Sequence, residues 1–166
     1  MKYIKSFLES VSNEYYSAGI VFHYNNKVLL VHPTDRNAPD EPIDYDIPEW
    51  SYPKGKVDAG ENHREGAIRE VSEELSINLP SDFLDDTEEQ EAYVGMKNDP
   101  LPEYRGKKHY MYFTYVLNDE EFVEYFDSQY EIPREKLELW EVDCAKFFEM
   151  GEAKRILAQK IMKILE

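Results

Sequence analysis

The stretch from Gly55 to Ile77 constrains this chain more than any other. Asn62 is a favoured residue for capping a helix N-terminus, and Glu65 stands three positions later, as a capping box of the Asn-x-x-Glu kind requires. The helix is therefore expected to start at Asn62. Counting about 100° per residue, Glu70, Glu73 and Glu74 fall within roughly one 100° arc, while Ile68, Val71 and Leu75 fall on another face and form the core side. Glu70 and Glu74 are like charges at i and i+4, which costs a helix about 0.2–0.5 kcal/mol. Three carboxylates gathered on one side call for a cation, and hard oxygen ligands on a fixed surface suit magnesium or manganese. Arg69 can pair with Glu73 at i+4 and hold its carboxylate. The competing reading is a solvated acidic face.

That competing reading has weight because the chain is acidic. Its 166 residues hold 35 Asp and Glu against 19 Lys and Arg, a formal net charge of -16. Such a surface repels a nucleic-acid backbone and argues against a nonspecific DNA or RNA binder. It also repels nucleotide phosphates unless a metal and local lysines or arginines intervene. The length suffices for one domain, 1–166, with a full core, and a hydrophobic share of 42% excludes a disordered chain. One cysteine, Cys144, excludes an internal disulfide framework and is expected to be an inert buried residue. The first residues resemble no signal peptide and no run approaches the ~20 apolar residues of a membrane span, so a soluble cytoplasmic protein is expected.

Ile4, Phe7, Leu8 and Val11 have helical spacing. Residues 17–24 and 27–32 are β-rich and separated by Asn25-Asn26, which predicts a hairpin. His23 and His32 are expected to be packed or surface residues. Residues 33–49 form a proline-rich connection, either a lid or specificity loop or a solvated insertion. Trp50 and Tyr52 alternate as in a strand. Lys54 and Lys56 flank Gly55. Strands are expected at 91–96 and 108–117, a polar loop at 97–106, a loop with some helix at 119–136, a last strand at 137–142 and a helix from about Cys144 to Glu166.

Gly55, Glu61, Arg69, Glu70, Val71, Glu73, Glu74 and Ile77 stand in register with G-x5-E-x7-R-E-U-x-E-E-x-G-U, where U is bulky and aliphatic. The stretch 55–77 thus resembles the Nudix box. One position departs: Ser76 replaces the family's late Gly, at a cost on the order of 1 kcal/mol if a left-handed conformation is kept. The runs 29–33 and 50–55, and parts of the tail, resemble a bacterial branch of predicted nucleoside-triphosphate pyrophosphohydrolases. The run Trp50-Ser51-Tyr52-Pro53-Lys54-Gly55 is also similar to asymmetrical diadenosine-tetraphosphate hydrolases and diphosphoinositol-polyphosphate hydrolases, and Lys108 ahead of Tyr112 and Phe113 resembles the former.

The resemblance implies an α/β fold, an α/β/α sandwich with a central mixed sheet. It implies magnesium (or manganese) on the Gly55 carbonyl and the side chains of Glu70, Glu73 and Glu74, with Glu61 ligating or steadying that shell and Arg69 orienting the glutamates. The implied reaction is hydrolysis of a phosphoanhydride in a nucleoside or dinucleoside polyphosphate, a small-molecule partner. Glu70, Glu74 or, from a later loop, Glu103 is the candidate base. Lys54, Lys56, Arg105 and Lys108 are candidate phosphate contacts. Tyr112 is a candidate for stacking on a base or for ordinary core packing. ADP-ribose or another nucleoside-diphosphate sugar is the alternative substrate. A Nudix-fold binding module without catalysis and an acidic face that recruits a basic partner are the alternative functions. Oligomeric state is not legible.

Overall fold

The computed structural model describes residues 13–34, 50–97, 100–101 and 105–166. The N-terminal helix expected around 4–11, most of the 33–49 connection and Glu103 lie outside the described residues. Strand β1 (Asn13–Tyr24) turns into β2 (Lys27–Pro33) through Asn25 and Asn26, with φ of 47° and 59°. Two successive left-handed residues match the right-handed twist of paired strands, and Asn tolerates that conformation better than most side chains. There follow β3 (Lys54–Lys56), α1 (His63–Leu75), β4 (Glu89–Lys97), β5 (Gly106–Val116), α2 (Asp119–Phe126), β6 (Val142–Glu149) and α3 (Met150–Ile156).

The strands form one mixed sheet in the order β4-β5-β1-β2-β6, with β3 paired to β1. The parallel pair is β1 with β5; the other pairings are antiparallel. Both faces are covered, because β1 alternates between two cores. Ala18, Ile20 and Phe22 join Val71 and Leu75 of α1 and Phe122 and Phe126 of α2. Val21 joins Trp50, Tyr52, Tyr112, Ala153 of α3 and Ile161 on the other side. This is the mixed α/β architecture that the resemblance implies. No helix among the described residues is long and apolar enough to cross a membrane.

Two expectations about the C-terminal third are overturned. The last strand is Val142–Glu149, not 137–142. Its apolar residues are buried on both faces, so it lacks the alternation that marks a half-exposed strand. Asp143, which reads as a loop residue, is buried, with its Oδ1 2.7 Å from Nδ1 of the fully buried His32. The tail is not one helix from Cys144. After α3 it breaks at Leu157 and Ala158, whose N–H donates to the Trp50 carbonyl at 2.9 Å, and resumes as a 3-10 segment, Gln159–Leu165. Backbone pairing with Trp50 interrupts a pattern that is helical by side-chain spacing alone. Trp50 and Tyr52 are buried, but they precede β3; Trp50 makes an isolated bridge with Leu157 and Ser51 one with Val31. Cys144 is buried, and burial raises its thiol pKa to about 11.

Candidate active site

Strand β3 sets the site's floor. Ala18 pairs with Gly55, between the pairs Ser17–Lys56 and Gly19–Lys54, so the loop glycine lies against the middle of the sheet. A Cβ added to Gly55 would lie 2.0 Å from Glu70 Oε2. Only a glycine leaves that space for the carboxylate. Helix α1 starts after Asn62, whose side chain accepts from the Glu65 N–H at 2.9 Å while the Glu65 carboxylate accepts from the Asn62 N–H at 2.9 Å. The reciprocal cap satisfies two N–H groups that a helix start would otherwise leave open. At the other end Ser76 adopts φ 50° and ψ 43°, so the left-handed conformation is kept without the glycine. The Glu138 N–H donates to the Glu74 carbonyl at 3.0 Å and helps tie down the end of the helix.

The three helix carboxylates have different environments. Glu73 is exposed, Glu70 is partly buried, and Glu74 is only 6% exposed. Glu74 Oε2 accepts from the Lys54 N–H at 3.1 Å. Burial, more than offsetting the nearby Lys54 cation, pushes the Glu74 pKa up to about 8. Burial also raises that of Glu70, against the opposing pull of Arg69. Both effects arise because an ionised carboxylate loses its hydration in the interior.

Arg69 sits at the centre of the loop. Its guanidinium donates to both oxygens of Glu61, at 2.7 and 3.2 Å, to Glu70 Oε1 at 2.8 Å and to the Lys56 carbonyl at 2.8 Å. The pairing with Glu73, expected from i,i+4 spacing, is the longer contact at 3.6 Å. The folded loop offers fixed acceptors that a planar fork meets with better geometry than a mobile surface glutamate. Glu61 also accepts from the Asp58 N–H at 2.7 Å, and Arg69 holds its carboxyl below the usual range.

Beside this loop lies a cavity of about 730 Å³. Its walls come from the start of β1 (Glu14 to Ser17), the loop (Lys56 to Ala59 and Glu61), His63 of α1, Lys97 of β4 and Lys108 of β5. The Tyr16 ring lies between two imidazoles, 4.5 Å from His63 and 4.6 Å from His109.

The family model of the NUDIX domain matches residues 15–163. The chain belongs to the Nudix family. It is 31% identical over 109 residues to the mRNA-decapping enzyme subunit 2 of Saccharomyces cerevisiae; the match takes 64% of this chain and 10% of the relative, so the chain spans about a tenth of the length of that protein. Among solved structures it is similar to the MutT protein from Methanosarcina mazei (15% identity, 93% of this chain and 91% of that one, TM-score 0.56). It is also similar to a bifunctional NMN adenylyltransferase/ADP ribose pyrophosphatase from Francisella tularensis, complexed with AMP and manganese (16% identity, 99% of this chain and 44% of that one, TM-score 0.52).

The Nudix loop and helix bring together Gly55, Glu61, Arg69, Glu70 and Glu74, whereas Glu73 projects into solvent. Among the described residues no three His, Cys, Asp or Glu side chains converge on one point. The reason is visible in the hydrogen bonds: Glu61 and one oxygen of Glu70 turn to Arg69, and one oxygen of Glu74 turns to the Lys54 N–H. Lys54 Nζ stands over the Tyr52 and Tyr110 rings, at 5.7 and 5.4 Å from their centroids. Lys56 and Lys108 line the cavity. Arg105 is exposed, donates to the Pro100 carbonyl at 3.3 Å, and is not on the cavity wall. Tyr112 is 3% exposed, with its hydroxyl donating to Gln90 at 2.5 Å; it packs in the second core. Sequence reasoning missed Lys97, Tyr15 and His63 on the cavity wall. No local pattern marks them, because the register of β4, β5 and β1 places Lys97 and Tyr15, and the packing of α1 on β1 places His63.

Proposed function

We propose that this chain is a divalent-cation-dependent pyrophosphohydrolase that cleaves a phosphoanhydride in a nucleoside or dinucleoside polyphosphate. One observation carries the cation dependence: the Glu70 carboxylate occupies the space that a Gly55 side chain would fill, on the same helix as the buried Glu74. An all-oxygen donor set of this kind fits magnesium or manganese in chemistry. Glu70, Glu73, Glu74 and the Gly55 carbonyl are the proposed ligands, with Glu61 steadying them. When bound, the cation supplies charge neutralisation for the phosphates and the leaving oxygen.

The remaining work falls to the chain. Arg69 ties Glu61, Glu70 and the Lys56 carbonyl into one unit, so the loop and helix keep a fixed spacing while a substrate is turned over. Glu74 or Glu70 is the proposed group that takes the proton from an attacking water, both standing on the helix beside the Gly55 loop. Lys56 and Lys108 are proposed to contact phosphates.

The test is product analysis with magnesium on diadenosine tetraphosphate, ADP-ribose, nucleotide sugars, nucleoside triphosphates and a capped or 5′-triphosphate RNA, with Glu74→Gln alongside. Cleavage of the polyphosphates, lost in the variant and in chelator, is the expected result. Cleavage confined to ADP-ribose or the sugars overturns the substrate class. Cleavage that persists in chelator overturns the cation dependence. A net charge of -16 argues against a long RNA, whereas the yeast relative favours including one in the panel.

A further inference from the structure

The cavity beside the Nudix loop gathers cations in an acidic chain. In a chain of net charge -16, three lysines from three strands, Lys56, Lys97 and Lys108, line this cavity with Glu14, Asp58 and Glu61. The acids near them are already engaged. Glu14 pairs with His109, and Glu61 and Asp58 pair with Arg69. Among the described residues, no carboxylate lies within ion-pair distance of any of the three lysines. Aromatic rings hold two of them instead. Lys97 Nζ stands 4.2 Å from the Tyr15 ring centroid and Lys108 Nζ 5.2 Å from that of Tyr110. Cations gathered without acidic partners repel one another and are stabilised by an anion.

The volume, about 730 Å³, lies in the range of pockets that accept a molecule of mononucleotide size. Position links the cavity to the chemistry. Lys56 directly follows Gly55, and the loop that forms one wall carries Glu61. The cavity therefore borders the same loop that carries Gly55 and Glu61.

We propose that this cavity is a polyphosphate subsite: it takes the phosphates beyond the scissile anhydride, with Lys97 and Lys108 as the residues that select substrates by phosphate-chain length. The inference rests on the hydrolase reading above. It separates the two substrate classes, because a dinucleoside tetraphosphate carries phosphates to fill the subsite and a nucleoside-diphosphate sugar does not.

Two measurements on the full chain test it. The first is the ratio of kcat/KM for diadenosine tetraphosphate to that for ADP-ribose with magnesium, in the unaltered protein and in Lys97→Met, Lys108→Met and an exposed control, Lys154→Met. The ratio is expected to fall about tenfold for each cavity lysine, as for loss of a charge-assisted phosphate contact, and to stay constant in the control. The second is calorimetric binding of inorganic tripolyphosphate and pyrophosphate in chelator. Tripolyphosphate is expected to bind the more tightly, to lose about a hundredfold in the double lysine variant, and to bind Glu74→Gln no more weakly than the unaltered protein. An unchanged ratio, or tripolyphosphate binding that is absent or indifferent to the two lysines, overturns the subsite. Hydrolysis with an unchanged ratio leaves the hydrolase standing without the subsite. Lysine-dependent tripolyphosphate binding with no hydrolysis of any substrate leaves the subsite standing without the hydrolase.

Discussion

Replacing Glu74 by Gln isolates the cost of holding a carboxylate inside the protein. Glu74 is 6% exposed, and burial moves its pKa from 4.5 to about 8. A carboxyl whose pKa is raised on folding binds its proton more tightly in the native state. Its contribution to stability is therefore complete below the unfolded value, near 4.5, and is lost as the pH rises through about 8. At about 1.4 kcal/mol per pH unit, the whole window amounts to roughly 3–5 kcal/mol, a large share of a typical domain's stability of about 5–15 kcal/mol. Gln keeps an acceptor for the Lys54 N–H but cannot ionise. In chelator, urea unfolding from pH 5 to pH 8.5 is expected to show the unaltered protein losing ground to Glu74→Gln by roughly 3 kcal/mol or more across that range. Saturating magnesium offsets most of that loss, because the cation binds the ionised form; at a hundred times its Kd it adds about 2.7 kcal/mol to the protein that binds it. Parallel pH profiles in chelator refute the burial argument, and a magnesium effect equal in both proteins refutes the assignment of Glu74 as a ligand.

Gly55→Ala puts a Cβ 2.0 Å from Glu70 Oε2 and forces that carboxylate out of its cradle; magnesium affinity by calorimetry is expected to fall at least tenfold, with a stability loss of about 1–3 kcal/mol. Arg69→Lys removes the fork that holds Glu61, Glu70 and the Lys56 carbonyl together, and kcat is expected to fall at least tenfold while the melting temperature moves by only a few degrees. Unchanged turnover would assign Arg69 no positioning role. Ser76→Gly relieves a non-glycine residue at φ 50°; it should raise stability by about 0.5–1 kcal/mol, or roughly 1–4 °C for a chain of this size, read by thermal unfolding in chelator.

Short-range chemistry makes much of the Nudix helix legible in the sequence. Asn62 and Glu65 are close enough along the chain to fix where the helix starts, and the spacing of Val71, Leu75, Glu70 and Glu74 orders its faces. The Asn25-Asn26 turn is legible for the same reason, since two left-handed residues belong to the dipeptide itself. Fidelity to the Nudix pattern is likewise a property of the sequence.

Other features depend on partners far along the chain and are set only on folding. Spacing pairs Arg69 with Glu73; the folded loop brings Glu61 and the Lys56 carbonyl nearer, and they win because they are fixed. The tail reads as one helix until the Trp50 carbonyl claims the N–H of Ala158. The last strand is hidden in the sequence because both its faces are buried. Glu74 and Glu73 are equivalent neighbours by residue type, yet one lies in the interior and the other in water. The cavity follows from strand register: Lys97 comes to Tyr15 only because β5 pairs with β4 on one edge and β1 on the other. A sequence determines bonds between near neighbours directly, whereas an environment of burial and charge is built by residues that only folding brings together.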